Sequence, residues 1–371
     1  MNRGLSLWLD VLRVGATLVV VLSHIAYARF TRGDYQFMRD LNLGSDAVIV
    51  FFVISGIVIA YAAERDKHLP TYTFNRGTRL LSVLLPALLL TFVFDQMGQR
   101  IDPGAYPAGY YGALPLWEML LRGLSFSNEW GAFERVRLGT NGPLWSLSYE
   151  AAYYILFGVA FFMSGARRVI ILLGLVVLFG PRVLLLMPAW LMGVWLWRKL
   201  AAGGAGTLPS KTARMMAWGA PVLYAACLWI GVPDMLAHLT AEAMAPARYR
   251  HVLAFSDEFI WNALVGVFTT IHIFGMARLL QNHTRDNRAV RWWAGASFSI
   301  YVTHYPALHL IDAVFPAETL ARDALFVVGS IAISLIFAQI FERRIAGLRS
   351  CIRALIGHWG PSGRRPRPHH P

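Results

Sequence analysis

The chain has 371 residues, of which 56% are hydrophobic and only 15% charged, whereas a soluble domain carries about 25% charged residues. Together with a mean hydropathy of +0.48, this excludes an ordinary water-soluble globular protein. The formal net charge of +13 would suit nucleic acid if it were clustered. The Lys and Arg residues are instead spread through short loops between apolar runs, so no nucleic-acid partner is expected.

Ten apolar runs approach the length needed to span a bilayer. The first, 7–29, contains LDVLRVGATLVVVLSHIAYA and so carries Arg13 and His24. Arg3, the run 14–22 and Ala26-Tyr27-Ala28 imitate a cleavable signal sequence. Asp10 and Arg13 interrupt its most apolar part, so it reads as a retained helix. Eleven residues at 100° each make about three turns, which puts Arg13 and His24 on one face, about 16 Å apart along the axis.

The second run, 45–63, opens SDAVIVFFVISG with Asp46 at its entrance, and the third, 78–97, follows YTFNRGTRLL. Arg76 and Arg79 then sit at the start of a helix, where paired guanidiniums and free amides suit a phosphate. Ordinary basic flanking of a span is the plainer reading. A long loop, 98–142, is rich in Gly, Pro, Tyr and Trp and suits either a ring-stacking sugar or an interfacial aromatic belt.

The fourth run, 143–163, opens NGPLWSLSYEAAYYI, with Glu150 about two turns in. Runs at 168–181 and 183–198 are parted by Gly180-Pro181-Arg182, and the first of them is short enough to tilt or re-enter. Runs at 214–232, 257–277, 293–313 and 323–341 complete the set, the ninth containing SFSIYVTHYP with His304. Residues 1–347 read as one transmembrane domain. Residues 348–371, ending GPSGRRPRPHHP, read as a disordered basic tail drawn to anionic lipid. Cys227 and Cys351 are far apart and in no motif spacing, so neither a disulfide framework nor a metal site is expected.

Lys and Arg are about twice as abundant on the side of the N-terminus as on the other, which predicts both termini inside. The expected fold is an all-α polytopic membrane protein, with about ten transmembrane helices in one bundle, N-in and C-in. With that orientation His24, Asp46, Glu150 and His304 could converge in the outer half of the membrane. Arg13, Arg76 and Arg79 would make a cationic vestibule on the inner side. Ionisable groups in hydrocarbon face a bundle interior or a wet cavity and are functional by default; the bland alternative is a snorkelling Arg13 and a satisfied interfacial His24. A histidine, with an unperturbed pKa of about 6.5, can take a proton from a hydroxyl. Asp46 or Glu150 could orient it.

Five of these pieces together resemble the acyltransferase 3 family of integral membrane acyltransferases: Arg13 and His24 in an Arg-x10-His spacing, SDAVIVFFVISG, Arg76-x-x-Arg79, LWSLSYE ending at Glu150, and SIYVTHYP. The resemblance is clear over runs one to four and nine, and rests on hydropathy in between. Family members often have a second Glu after the first in the fourth run, where this chain has Ala151, and commonly Gly-Val-Asp where it has Gly44-Ser45-Asp46. No appended outer esterase-like domain is expected.

The resemblance implies transfer of an acyl group, most simply acetyl, from cytoplasmic acyl-CoA to a hydroxyl of an extracytoplasmic glycan or glycolipid, as in surface-polysaccharide O-acetylation at the cell envelope. It implies residence in the inner (cytoplasmic) membrane. Acyl-CoA would be a co-substrate, with no permanently bound cofactor. Arg13, Arg76 and Arg79 would hold its phosphates, and His24 would be the base, or less simply carry the acyl group. His304, Tyr301 and Trp145, from the same motifs, are the candidates for touching substrate. A proton-coupled transporter also fits midplane charges, though no internal repeat supports it. A membrane sensor, with the charges as structural glue, is the third possibility.

Overall fold

A computed structural model describes residues 1–107, 111–243, 252–316 and 319–359. The described residues are helical, with no strands and one isolated bridge between Gly112 and Gly139. The long helices in chain order are α1 (Arg3–Ile25), α2 (Leu43–Asp66), α3 (Leu69–Ile101), α4 (Trp145–Phe162), α5 (Gly165–Leu184), α6 (Met187–Ala201), α7 (Ser210–Trp229), α8 (Val232–Ala243), α9 (Phe259–Leu279), α10 (Ser297–Val314), α11 (Leu320–Phe337) and α12 (Ile345–Trp359).

Every one of the ten predicted runs is helical, but ten crossings are not what length and composition support. Among the described residues, five helices are long and apolar enough to cross a membrane, or seven if each of two bent pairs is one span. The fifth and sixth runs form one such pair, α5 and α6, bent by 103°; α7 and α8 form the other, bent by 62°. Helices α4 and α10 are not among the seven. They carry Glu150 and His304 together with several serines and tyrosines, and this polar content lowers their apolarity.

Helix α5 is also kinked within its own length, and that kink has a local cause. Gly180 adopts φ 73° and ψ 171°, a conformation open to glycine, and Pro181 follows it. The carbonyls at the break find partners in the long loop: Gly131 N–H donates to Phe179 O (2.8 Å) and Ala132 N–H to Leu178 O (3.0 Å). The broken helix therefore anchors the loop.

Helix α2 is the central element. In its most apolar window 61% of the residues are buried, and it crosses α6 at unusually close range. A Cβ on Gly193 would lie 2.0 Å from the Val53 carbonyl oxygen, and one on Gly56 2.1 Å from that of Trp190. Small residues at such crossings let helix backbones touch where lipid supplies no hydrophobic driving force.

Two expectations about the basic ends are corrected. Helix α3 begins at Leu69, with Pro70 in its first turn, so Arg76 and Arg79 lie inside the helix. Their amides are hydrogen-bonded within it, and the pair can act on a phosphate only through side chains. The first part of the expected disordered tail, 348–359, belongs to helix α12. Arg349 docks that helix on α3 through Thr78 Oγ1 (2.9 Å) and the Asn75 carbonyl (2.8 Å). The remainder, 360–371, lies outside the described residues.

Candidate active site

Helices α1, α2, α3, α4 and α10 enclose a cavity of about 350 Å³. Arg13, Arg76 and Arg79 line it from α1 and α3, Ser55 from α2, Ser146, Glu150 and Tyr154 from α4, and Tyr301 from α10. The contributions of α2 are Val48, Phe51, Phe52, Ile54, Ser55 and Val58; all but Ile54 follow the helical spacing of one stripe turned toward the cavity.

Each arginine has a carboxylate at hand. Arg13 donates to Asp10 (3.0 Å), which also accepts from Arg291 (2.6 Å). Arg79 donates to the buried Glu342 (2.9 Å), whose second oxygen accepts from the Ser299 N–H (2.9 Å) and Oγ (2.7 Å) at the start of α10. Arg76 lies 4.0 Å from Asp66, which Asn75 holds at 3.0 Å. Glu342 ends a π-helical turn, Ala338–Glu342, a distortion that recurs at functional sites.

Beyond Tyr301 lies a histidine pair. His304 is fully buried and His24 half-buried, with His304 Nε2 3.0 Å from His24 Nδ1. The tautomers follow from one carbonyl. His304 Nδ1 is 2.8 Å from Ile300 O, and a carbonyl only accepts, so Nδ1 carries the proton. His304 Nε2 is then a lone pair, His24 Nδ1 must donate to it, and His24 Nε2 is left as the basic nitrogen. The ring of Tyr305 lies 4.7 Å from that of His24 and the ring of Tyr27 at 6.0 Å. Tyr301 stands between the two regions, its ring 6.2 Å from His304 and its hydroxyl bonded to Ser146 Oγ (2.6 Å) and Pro143 O (2.9 Å).

The one-face prediction for α1 agrees with this arrangement. Arg13 reaches the cavity beside Ser297 and Tyr301, and His24 meets His304 farther along the same helix. The predicted convergence of four groups does not occur. Asp46 accepts from Tyr224 Oη (2.8 Å) and Trp261 Nε1 (2.9 Å), on the side of α2 facing α7 and α9. Nine residues at 100° put Asp46 half a turn away from Ser55, so an equal depth in the membrane did not mean a common face. Glu150 accepts from Ser55 Oγ (2.5 Å) and Tyr154 Oη (2.6 Å) in the wall of the arginine cavity. Neither carboxylate bonds His24; His304 does. Trp145 is buried and stacks on Phe255, 4.5 Å away and 13° from parallel, without lining the cavity.

Sequence reasoning missed Ser55, Tyr154, Asp10 and Glu342. The i, i+3 spacing of Asp10 and Arg13 was a visible signal. Nothing local pointed to Glu342, 263 residues from Arg79.

An apolar α-helical bundle with a cationic cavity, and a histidine pair beyond Tyr301, defines the class as a multi-pass membrane protein with a polar interior. The sequence model of acyltransferase 3, described as an acyltransferase domain, matches residues 6–339, and the chain belongs to that family. It is similar to "Acyltransferase MdmB" of Streptomyces mycarofaciens, with 37% identity over 150 residues, covering 39% of this chain and 36% of that one. It is also similar to the "O-acetyl transferase" of Shigella phage Sf6, with 28% identity over 169 residues, covering 44% and 49%. The chain thus spans about a third to a half of the length of these curated relatives. No solved structure matches it.

Proposed function

We propose that this protein is an integral membrane O-acyltransferase that takes an acyl group, acetyl in the simplest case, from acyl-CoA and delivers it to a hydroxyl of a glycan or glycolipid across the membrane. The observation that carries the reading is one cavity lined both by three arginines and by Tyr301, whose ring lies 6.2 Å from that of His304, the partner of His24. The arginine end faces the cytoplasm, both termini lie on that side, and the membrane is the cytoplasmic one.

Arg13, Arg76 and Arg79 hold the phosphates of the donor; guanidinium forks suit phosphate oxygens. Asp10, Asp66 and Glu342 keep these side chains in place between turnovers. The acyl thioester reaches past Ser146 and Tyr301 toward His24. His24 Nε2 takes the proton of the acceptor hydroxyl as its oxygen attacks the thioester carbonyl. The carbon–sulfur bond breaks, an ester forms, and the imidazolium returns its proton to the departing thiolate. His304 keeps the Nδ1 proton of His24 bonded throughout, which holds the other nitrogen as the base. Glu150 shapes the wall of the donor cavity, and Asp46 secures α2 against α7 and α9.

The test is label transfer in membrane vesicles. Radiolabelled acetyl-CoA is supplied on the cytoplasmic side to wild type and to His24→Ala at matched expression. Label in glycan or lipid-linked glycan with wild type alone is the expected result. Equal transfer by the variant would remove His24 from the chemistry, and consumption of no acyl-CoA by wild type would refute the transferase.

A further inference from the structure

A second cavity, of about 250 Å³, lies in the long loop before α4 and is lined by Asn128, Glu129, Arg135, Arg137, Asn141 and Phe255, among others. The loop around it is fixed. Gly131 and Ala132 are tied to the break in α5, and the Trp130 indole donates to Ser148 O (3.1 Å) in α4. Asn141 Nδ2 donates to Thr91 Oγ1 (2.9 Å) in α3 and to Val302 O (2.8 Å), two residues before His304. The backbone of Gly142, in the same lining, faces Tyr305 and Arg137: a Cβ there would lie 3.8 Å from Tyr305 Cε1 and 3.9 Å from Arg137 Cζ. Tyr305 in turn packs on His24. One aromatic ring therefore separates this cavity from the histidine pair.

Its polar groups are set for a ligand. Asn141 is 1% exposed, and while its amide hydrogens are engaged, its Oδ1 has no protein partner. Glu129, 3% exposed, is gripped by Arg135 Nε at 3.2 and 3.1 Å. A buried carbonyl oxygen without a donor is destabilising, so the cavity favours whatever supplies one. An anion alone has no hydrogen to give Asn141 Oδ1. A simple aliphatic alcohol brings a single hydroxyl to a lining that presents Asn141, Glu129 and Arg137 together. A ring bearing several hydroxyls both donates and accepts. Phe255 is no stacking platform for it, because Arg135 covers one side (4.6 Å) and Trp145 stacks on the ring at 4.5 Å. The volume is below the roughly 300–1,000 Å³ of pockets for drug-sized ligands and suits one unit of a longer molecule.

We propose that this cavity is the acceptor subsite: Asn141, Glu129 and Arg137 hold one polyhydroxylated, sugar-like ring by hydrogen bonds, beside Tyr305 and within reach of His24. The proposal rests on the transferase reading above.

The experiment uses purified full-length protein in detergent, labelled acetyl-CoA, a panel of methyl glycosides and, as a non-sugar alcohol, 1-propanol. CoA release and product ester are both measured. Wild type should show saturable acceleration by at least one glycoside. Arg137→Gln, on a half-exposed loop residue, and Asn141→Ala should raise the KM for that glycoside on the order of five- to tenfold, one hydrogen bond each, with the KM for acetyl-CoA and the rate with 1-propanol moved less than twofold. Arg137→Gln keeps the test valid if Asn141→Ala fails to fold. An unchanged glycoside KM in Arg137→Gln, or an equal loss with 1-propanol, would overturn the subsite. So would CoA release by wild type that no glycoside accelerates or inhibits. Absence of wild-type CoA release would instead bring down the transferase reading, and the subsite with it.

Discussion

Replacing His304 tests the tautomer argument most directly. In His304→Ala the Nδ1 proton of His24 loses the acceptor 3.0 Å away, and the ring is free to turn or to take the other tautomer. Removing one partner of a buried hydrogen bond costs about 1–3 kcal/mol. At about 1.36 kcal/mol per tenfold in rate, kcat should fall roughly 5- to 150-fold, with little change in the KM for acyl-CoA, because the arginines are untouched. Deleting a fully buried ring also leaves a void, and aromatic truncations in cores cost about 3–5 kcal/mol. The rate must therefore be expressed per folded molecule, with the melting transition in detergent measured alongside. His304→Gln separates the two effects. Its side-chain carbonyl can accept from His24 Nδ1, so kcat should recover to within about tenfold of wild type while a positional loss remains. A kcat per folded molecule within twofold of wild type in His304→Ala would refute the positioning role. His304→Gln as poor as His304→Ala would refute its hydrogen-bond basis.

Two further substitutions follow from the carboxylates. Asp46→Asn keeps the shape but leaves one oxygen for two donors, Tyr224 and Trp261. It should cost about 1–3 kcal/mol of stability, seen as a lower melting point, with kcat per folded molecule unchanged. A loss of several orders of magnitude in kcat at an unchanged melting point would restore Asp46 to the active site. Glu342→Ala should let Arg79 leave the cavity wall and raise the KM for acetyl-CoA about tenfold, in keeping with a charged hydrogen bond of about 1.5–3 kcal/mol. Glu342→Gln should restore most of it, and an unchanged donor KM in the alanine variant would exclude Glu342 as the group that places Arg79.

Much of the fold was legible because spanning helices announce themselves by length and apolarity, and each of the ten runs contains a helix. What hydropathy could not supply was their geometry. Gly180-Pro181 was visible as a break, but the 103° bend lies farther on, between the end of α5 at Leu184 and the start of α6 at Met187, and the carbonyls beside Gly180 are met by Gly131 and Ala132 amides from a distant loop. The start of α3 was misplaced by nine residues because the polar stretch from Leu69 onward is helical through Pro70 and tertiary contacts, and an apolar count cannot detect that.

The site divides along the same line. Arg13 and His24 share one helix, so a 100° step relates them without knowledge of anything else, and the structure places both toward α10. Asp46 and His24 are on different helices, and depth alone does not say which way either points. The rotation of α2 goes instead with its close crossing of α6, through Gly56 on α2 and Gly193 on α6, which leaves Ser55 facing the cavity and Asp46 facing Tyr224 and Trp261. Motif order was enough to identify the family, because order survives any rotation. Assigning a partner to His24 needed the rotation itself, and with it the carbonyl of Ile300, which no side-chain pattern records. His304, which the sequence motifs offer as a candidate for touching substrate, thus becomes the residue that fixes the tautomer of His24.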